Sequence, residues 1–342
     1  MDLTLESNGR TRVIAEVGSV HDGSFGNALR LIDVAAACGA DVVKFQTHIA
    51  SAETLREAPM PEYFKGEPRY EYFERTAFSY EQWQSLKDHC AEVGIEFLSS
   101  PFSIEAVELL EDLGVSRHKI PSGEVTNLPL LERVAATGKP VLLSSGMSSW
   151  DELDRAVEVL RSGNGSLTVL QCSSKYPCPY EDVGLNVLQA LRERYDLPVG
   201  LSDHTMTPYT AYAAVALGAV VIEKHLTFSR EMYGSDARHS LEPEEFTRLI
   251  DGIRAIETAL ASRVDKDAVE GYRAMKETFE KSVVSVVDIE AGVRLTKGML
   301  AVKKPGTGIP ARSLQEVIGR TAKHRIERDS LIRWDDLSSE AS

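Results

Sequence analysis

The chain has 342 residues of ordinary globular composition, 43% hydrophobic and 26% charged, with acidic residues outnumbering basic ones by 52 to 38. A net charge of −14 without a Lys/Arg cluster argues against nucleic acid as a partner, although lysines inside a pocket can still hold a small anion. No apolar stretch is long enough to span a bilayer, the opening residues lack a signal-peptide core, and the four cysteines (Cys38, Cys90, Cys172, Cys178) show no CxxC spacing, so no membrane association and a cytoplasmic location with reduced thiols are expected.

Along the chain one pattern recurs: a helical segment, a glycine, one to three residues, then a short apolar strand ending in polar residues. It appears at Gly39 before DVVKFQ, Gly94 before IEFLSS, Gly114 before VSRHKIPS, Gly138 before KPVLLSS, Gly165 before SLTVLQCSS and Gly218 before AVVIEKH. Glycine in a left-handed helix cap turns the chain back into a strand. With residues 12–18 and 198–204 the count reaches eight strands, separated by helical segments at 27–38, 80–93, 104–113, 128–137, 151–162, 185–195 and 209–217, and followed by one at 244–261. Eight strand–helix units over about 250 residues predict an α/β fold, a (β/α)8 TIM barrel. A doubly wound open sheet is the alternative, with fewer units and no use for eight polar exits.

Barrel enzymes keep their chemistry at the C-terminal ends of the strands. Here those ends carry Glu16, Lys44 with Gln46, Ser99-Ser100, Lys119 with Ser122 and Glu124, Ser144-Ser145, Gln171 with Ser173-Ser174, Ser202 to His204, and Glu223 to His225. Lys44 and Lys119 follow apolar strands directly. A desolvated ammonium there needs an anionic partner, either a bound phosphate or carboxylate or a neighbouring Glu16 or Glu124. The stretch 198–226, PVGLSDHTMTPYTAYAAVALGAVVIEKHL, reads as a βαβ unit that sets His204 and His225 at neighbouring strand ends, where two imidazoles can share a metal.

Two connections are long. Residues 47–79 are rich in aromatics and read as a lid or pocket wall; residues 227–241 carry Tyr233-Gly234-Ser235-Asp236, with Asp236 free to reach over the site. The character changes after residue 262. Residues 263–281 read as a charged linker with some helix, and 282–342 as short β-rich runs (VVSVVDI, MLAVKKPG, TAKHRIERDSLIRW) of a compact β-clip. The expected organisation is a barrel over 1–262, a linker over 263–281 and a small domain over 282–342.

Nine motifs in order resemble the sialic acid (N-acetylneuraminate) synthase family: IAEVGSVHDG at 14–23, VVKFQT at 42–47, FLSSPF at 97–102, HKIPSGE at 118–124, KPVLLSSGM at 139–147, QCSSKYPCPYED at 171–182, GLSDHT at 200–205, ALGAVVIEKHLT at 216–227 and GSDARHSLEP at 234–243. The tail VKKPGTGIP at 302–310 resembles the small antifreeze-like (SAF) domain that closes these enzymes. The resemblance implies condensation of phosphoenolpyruvate with an N-acyl, mannosamine-like aldose to a nine-carbon α-keto acid and phosphate. It also implies a divalent ion, Mn2+ or Mg2+, and a domain-swapped homodimer whose SAF domain covers the partner's barrel mouth.

Carried over residue by residue, the resemblance makes His204 and His225 metal ligands, and Lys44, Lys119, Ser122, Ser144 and Ser202 the phosphoenolpyruvate cradle, with Ser100 beside it. Glu16, Tyr176 and Asp236 become sugar contacts with Gln46 in the same shell, Glu124 a carboxylate near the reacting carbons, and Lys304 a group reaching the partner's site. Glu16 and Glu124 both stand as candidates for the base. The chain departs from the family pattern at Val20-His21 (usually Asn-His), Ser100 (Thr), Ser174 (often Asn) and Lys304 (Arg), and 47–79 offers no asparagine for the sugar. These departures keep deoxy, diacetamido hexoses and phosphorylated N-acetylmannosamine open beside N-acetylmannosamine itself. Two other readings are a metal-dependent barrel that condenses phosphoenolpyruvate with a sugar phosphate, or acts as an aldolase, and a non-enzymatic carbohydrate-binding scaffold. The SAF tail counts against the first, and the retained lysines and histidines count against the second.

Overall fold

A computed structural model describes residues 10–59 and 66–338; the part of the long aromatic-rich connection at 60–65 and the chain ends at 1–9 and 339–342 lie outside the described residues. Eight strands, β1 (Arg12–Gly18), β2 (Val42–Thr47), β3 (Glu96–Pro101), β4 (His118–Ile120), β5 (Val141–Ser144), β6 (Leu167–Cys172), β7 (Val199–Asp203) and β8 (Val221–His225), pair in parallel in the order β3-β2-β1-β8-β7-β6-β5-β4. The two end strands, β3 and β4, run side by side, so the sheet is a nearly closed barrel ringed by helices, as predicted. β4 is only three residues long. Pro121 has no N–H to extend the ladder, and the chain turns there into a short 3-10 segment, Ser122–Glu124.

The helices form where caps and apolar stripes coincide. Ser149 and Glu152 make a reciprocal capping box, and Leu153, Ala156, Val157 and Leu160 then bury one face of Trp150–Arg161 against the barrel. The helix predicted over 27–38 begins earlier, at Phe25, because Ser24 caps it by accepting from the Asn27 N–H. Gly165 departs from the predicted left-handed cap: it is required because a Cβ there would collide with the Lys139 carbonyl. The long connection after β2 contains two short helices, Ala50–Glu53 and Arg69–Thr76, and buries Tyr70 and Tyr72.

Side chains alternate across each strand, so residues two apart share a face. Ile14, Val42, Leu98, Leu142, Leu170 and Val221 point inward and pack into an apolar floor across the lumen. Two residues further along, the same inward positions turn polar: Glu16, Lys44, Ser100, Ser144, Cys172 and Glu223. The outward set, including Val13, Val43, Leu143, Val169 and Ile222, lies under the helices in the main core. The barrel is therefore plugged below and polar above.

The first compact unit ends at Ser262 and the second begins at Arg263. In the second, helix Arg273–Phe279 precedes β9 (Ser282–Ser285), which pairs antiparallel with β10 (Leu300–Lys303). Val283, Ile289, Leu295, Ile309, Val317 and Ile332 form its core. The β-rich run at 321–334 is not a strand; it contributes isolated bridges at Thr321, Ala322, Ile326 and Leu331. Asp329, with φ of 61°, breaks its extended path. No helix of the described residues is long and apolar enough to cross a membrane.

Candidate active site

A cavity of about 400 Å3 opens above the floor at the strand C-termini. At its base four buried charges meet. Lys44 Nζ lies 3.0 Å from Glu16 Oε2 and 3.4 Å from Glu223 Oε2, while Lys119 Nζ lies 3.6 Å from Glu223 Oε1. Hydroxyls and an amide complete the cluster: Lys119 donates to Ser144 Oγ at 2.8 Å, Ser202 Oγ donates to Glu223 Oε1 at 2.9 Å, and Gln46 Nε2 donates to Glu16 Oε1 at 2.7 Å. Lys44 also reaches Ser100 Oγ at 3.4 Å.

The two carboxylates separate in proton affinity. Burial pushes Glu16 up to about 7, with Lys44 pulling against it and Glu223 adding to the rise. Burial acts on Glu223 too, but Lys119 and Lys44 overcome it and hold that carboxyl at about 2. Burial lowers the Lys119 ammonium; for Lys44 it is outweighed by Glu16 and Glu223, and the net shift is upward. An acid near neutrality beside a permanent anion is an arrangement suited to proton transfer at neutral pH.

In the same cavity, where His225 is the register partner of Glu16, the rings of His204 and His225 lie 5.5 Å apart, and the Tyr176 ring sits 4.2 Å from His204. His204 Nδ1 donates to the Ser173 carbonyl at 2.7 Å, which fixes the ring; burial lowers its proton affinity, but Cys172, a further hydrogen-bond partner, outweighs it and the net shift is upward. Burial holds His225 at about 4, and its Nδ1 is buried without a hydrogen-bond partner. Two oriented imidazoles, at least one of them neutral, suit a divalent ion whose other positions go to water or substrate. Among the described residues no cluster of three or more His, Cys, Asp or Glu forms a closed metal cage.

Asp236, expected to move freely over the site, is tethered: its Oδ2 accepts from the Ser19 N–H at 2.7 Å and from Ser19 Oγ at 2.8 Å, locking the connection after β8 onto the exit of β1. Ser122 lines the cavity and donates to Cys172 Sγ at 3.4 Å. Gly146 makes that placement possible, since a Cβ on it would overlap Ser122 Oγ. Glu124 does not join the charged cluster or the cavity lining; it accepts from Asn127 Nδ2 at 2.7 Å, and burial raises its carboxyl. Lys304 sits in the second unit with its Nζ 5.0 Å from the Phe279 ring centre.

The structure adds residues that the sequence reading left unassigned: Glu223, Cys172 and Ser174 at strand ends, and Arg69, Tyr72 and Phe73 from the long connection, which forms a wall of the cavity. Glu223 was accessible through alternation, two residues before His225 and hence on the same face.

The fold and site together define a class of barrel protein that gathers two buried lysines, two glutamates and a histidine pair in one cavity at the strand C-termini. Comparison with known proteins places the chain within it. Residues 31–265 match the NeuB family and residues 280–338 match the SAF domain. The chain is 37% identical to the N,N'-diacetyllegionaminic acid synthase of Campylobacter jejuni, covering 95% of this chain and 99% of that protein. It is 36% identical to the N-acetylneuraminate-9-phosphate synthase of Mus musculus, over 96% and 92% of the two chains. The crystal structure of the N-acetylneuraminic acid synthetase of Leptospira borgpetersenii, a complex with citrate, superposes with a TM-score of 0.68 at 32% identity, covering 78% of this chain and 90% of that one. The chain belongs to the NeuB family.

Proposed function

We propose that the protein is a nonulosonic acid synthase that joins phosphoenolpyruvate to an N-acyl, mannosamine-like aldose, giving a nine-carbon α-keto acid and inorganic phosphate. The observation that carries this reading is the buried Lys44–Glu16–Glu223–Lys119 cluster lining one cavity together with His204 and His225. Lys119, Ser144, Ser122 and Ser202 hold the phosphate and carboxylate of phosphoenolpyruvate, with Lys44 neutralising the end nearest Glu16. Tyr176 and the wall formed by Arg69, Tyr72 and Phe73 position the sugar.

Carbon 3 of phosphoenolpyruvate forms the new bond to the aldehyde carbon with the electron pair of its double bond, and the carbonyl electron pair moves onto the aldehyde oxygen, which takes a proton from solvent. Water adds to carbon 2 while Glu16 accepts its proton and returns it to solvent. The tetrahedral intermediate breaks its carbon–oxygen bond to phosphate, and its hydroxyl becomes the ketone as its proton passes to the departing phosphate. Glu223 stays ionised throughout and offsets the charge of both lysines. Glu124, lying off the cavity, is left with a structural part. A divalent ion on His204 and His225, Mn2+ or Mg2+, supplies Lewis-acid polarisation of the sugar aldehyde when bound. Holding both reactants in one cavity contributes much of the rate.

Phosphate release from phosphoenolpyruvate is measured with N-acetylmannosamine, its 6-phosphate and a diacetamido-trideoxyhexose, in EDTA and after adding back Mn2+ or Mg2+. Turnover with at least one aldose, lost in EDTA and restored by metal, is the expected result. No turnover with any of them in metal-replete protein overturns the reading.

A further inference from the structure

One buried imidazole beside the site has no part in the steps above. His48 follows the end of β2, and its ring is stacked between Phe73, 3.8 Å away at 10°, and Phe102, 4.2 Å away at 23°. Its side chain is 8% exposed, and that of Glu53, whose Oε1 lies 2.7 Å from Nδ1, is 4% exposed. Nε2 meets Gln46 Oε1 at 3.1 Å, and Gln46 Nε2 donates to Glu16 Oε1 at 2.7 Å. A continuous chain, Glu53–His48–Gln46–Glu16, thus runs from the wall into the charged cluster.

Donor and acceptor counting gives this chain a direction. An ionised Glu16 only accepts, so it takes the Gln46 amide nitrogen. Gln46 then presents its carbonyl to His48, and a carbonyl also only accepts, so Nε2 carries a hydrogen. The Glu53 carboxylate likewise only accepts, so Nδ1 donates to its Oε1 at 2.7 Å and both ring nitrogens carry hydrogens. The two phenyl rings fix the plane of the imidazole, Glu53 fixes its rotation within that plane, and neither constraint comes from substrate. The titratable groups that interact electrostatically with the ring or lie beside it are Glu53, Glu124, Arg69 above Phe73, and His21, which burial holds at about 4. None of the last three hydrogen-bonds to Gln46 among the described residues.

We propose that His48, clamped by Phe73 and Phe102 and anchored by Glu53, is a positioning residue that fixes the Gln46 amide with its N–H toward Glu16. It ties the long connection after β2 to the group that accepts the proton of water. This inference rests on the function proposed above only for its kinetic consequence, since the placement of the hydrogen on Nε2 is a property of the protein alone.

Two measurements test it on the full-length protein. In a spectrum of 15N-histidine-labelled protein, the His48 resonance, assigned by its disappearance in His48→Phe, is expected to show a protonated Nε2. His48→Phe keeps an aromatic ring between Phe73 and Phe102 but removes the donor. Its kcat is expected to fall about tenfold, the equivalent of one lost hydrogen bond, with the KM for phosphoenolpyruvate within twofold of the parent. His48→Gln retains a donor at the Nε2 position and is expected to recover most of the loss, with Glu53→Gln between the two. Should His48→Phe fail to fold, as judged by its thermal melt, His48→Gln and Glu53→Gln carry the kinetic comparison. A bare Nε2, unchanged kcat in His48→Phe, a defect confined to KM, or equal losses in His48→Phe and His48→Gln overturns the inference. If the parent protein turns over no aldose, the functional reading falls, while the state of Nε2 still decides whether His48 holds Gln46 as stated.

Discussion

Glu223 receives Lys44, Lys119 and the Ser202 hydroxyl on one buried carboxylate, so its charge is the counterweight to both lysines. Glu223→Gln removes that counterweight and leaves Lys119 without a carboxylate partner. Phosphate release is expected to drop by about 100-fold, in the range seen when a preorganised electrostatic group is removed from an active site; a rate within threefold of the parent would sink this role. Glu16 makes a separate, pH-dependent prediction. Burial places its proton affinity at about 7, so, if it serves as the base proposed above, kcat should fall on the acid side with a midpoint near that value. In Glu16→Gln the rate should be low and without that limb. The stability sign is opposite. The carboxyl sits above its ordinary 4.5 in the folded state, so the stabilisation linked to Glu16 is complete below pH 4.5 and is lost as pH rises through about 7. Comparing urea unfolding of parent and Glu16→Gln between pH 5 and about 8 reads that difference. A gap that does not change with pH would contradict the assignment. His48, Cys172 and Arg69 show the limit of motif reading, because nothing in their local sequence says which cavity they face.

At the scale of elements, the apolar floor supports the chemistry. Leu98 is fully buried in the lumen and is the register partner of Lys44. Leu98→Ala leaves a void that the closed barrel cannot readily collapse, costing about 2–5 kcal/mol by urea denaturation. Because the void lies beside Lys44 on the neighbouring strand, the variant should also lose activity; a stable protein with parental kcat would show that floor and site are uncoupled. Alternation explains why the strand ends read as unsorted polar bursts in the sequence. Glu223 and His225 face the lumen, whereas Lys224 between them turns outward to Asp203 Oδ2 at 2.7 Å. Likewise Ser99 turns away from the cavity and shares a 2.7 Å hydrogen bond with Thr47 Oγ1, while Ser100 faces Lys44. Strand periods and capping residues were legible locally. The helices inside 47–79 were not, because Arg69–Thr76 has no side-chain cap and forms where Tyr70 and Tyr72 are buried.

At the scale of the molecule, the two compact units carry separate cores. We propose that the working form is a homodimer in which Lys304 of one copy serves the barrel mouth of the other. Sedimentation should give a dimer at assay concentrations, and Lys304→Ala should lower kcat about tenfold without shifting the thermal melt of the barrel. A monomer with full activity would remove that role.

The sequence by itself determined the eight strand–helix units, the two histidines, the two lysines and the small C-terminal domain, because each depends on short-range periodicity, turn chemistry or a contiguous motif. Only the tertiary structure decided which of two glutamates joins the lysines. Glu16 and Glu124 are equally plausible as residues near strand ends, but β1 lies between β2 and β8 and so brings Glu16 beside Lys44. The turn after β4 instead directs Glu124 toward Asn127 on its own segment. That choice depends on strand order and the direction of each exit, which neighbouring residues in the chain do not encode.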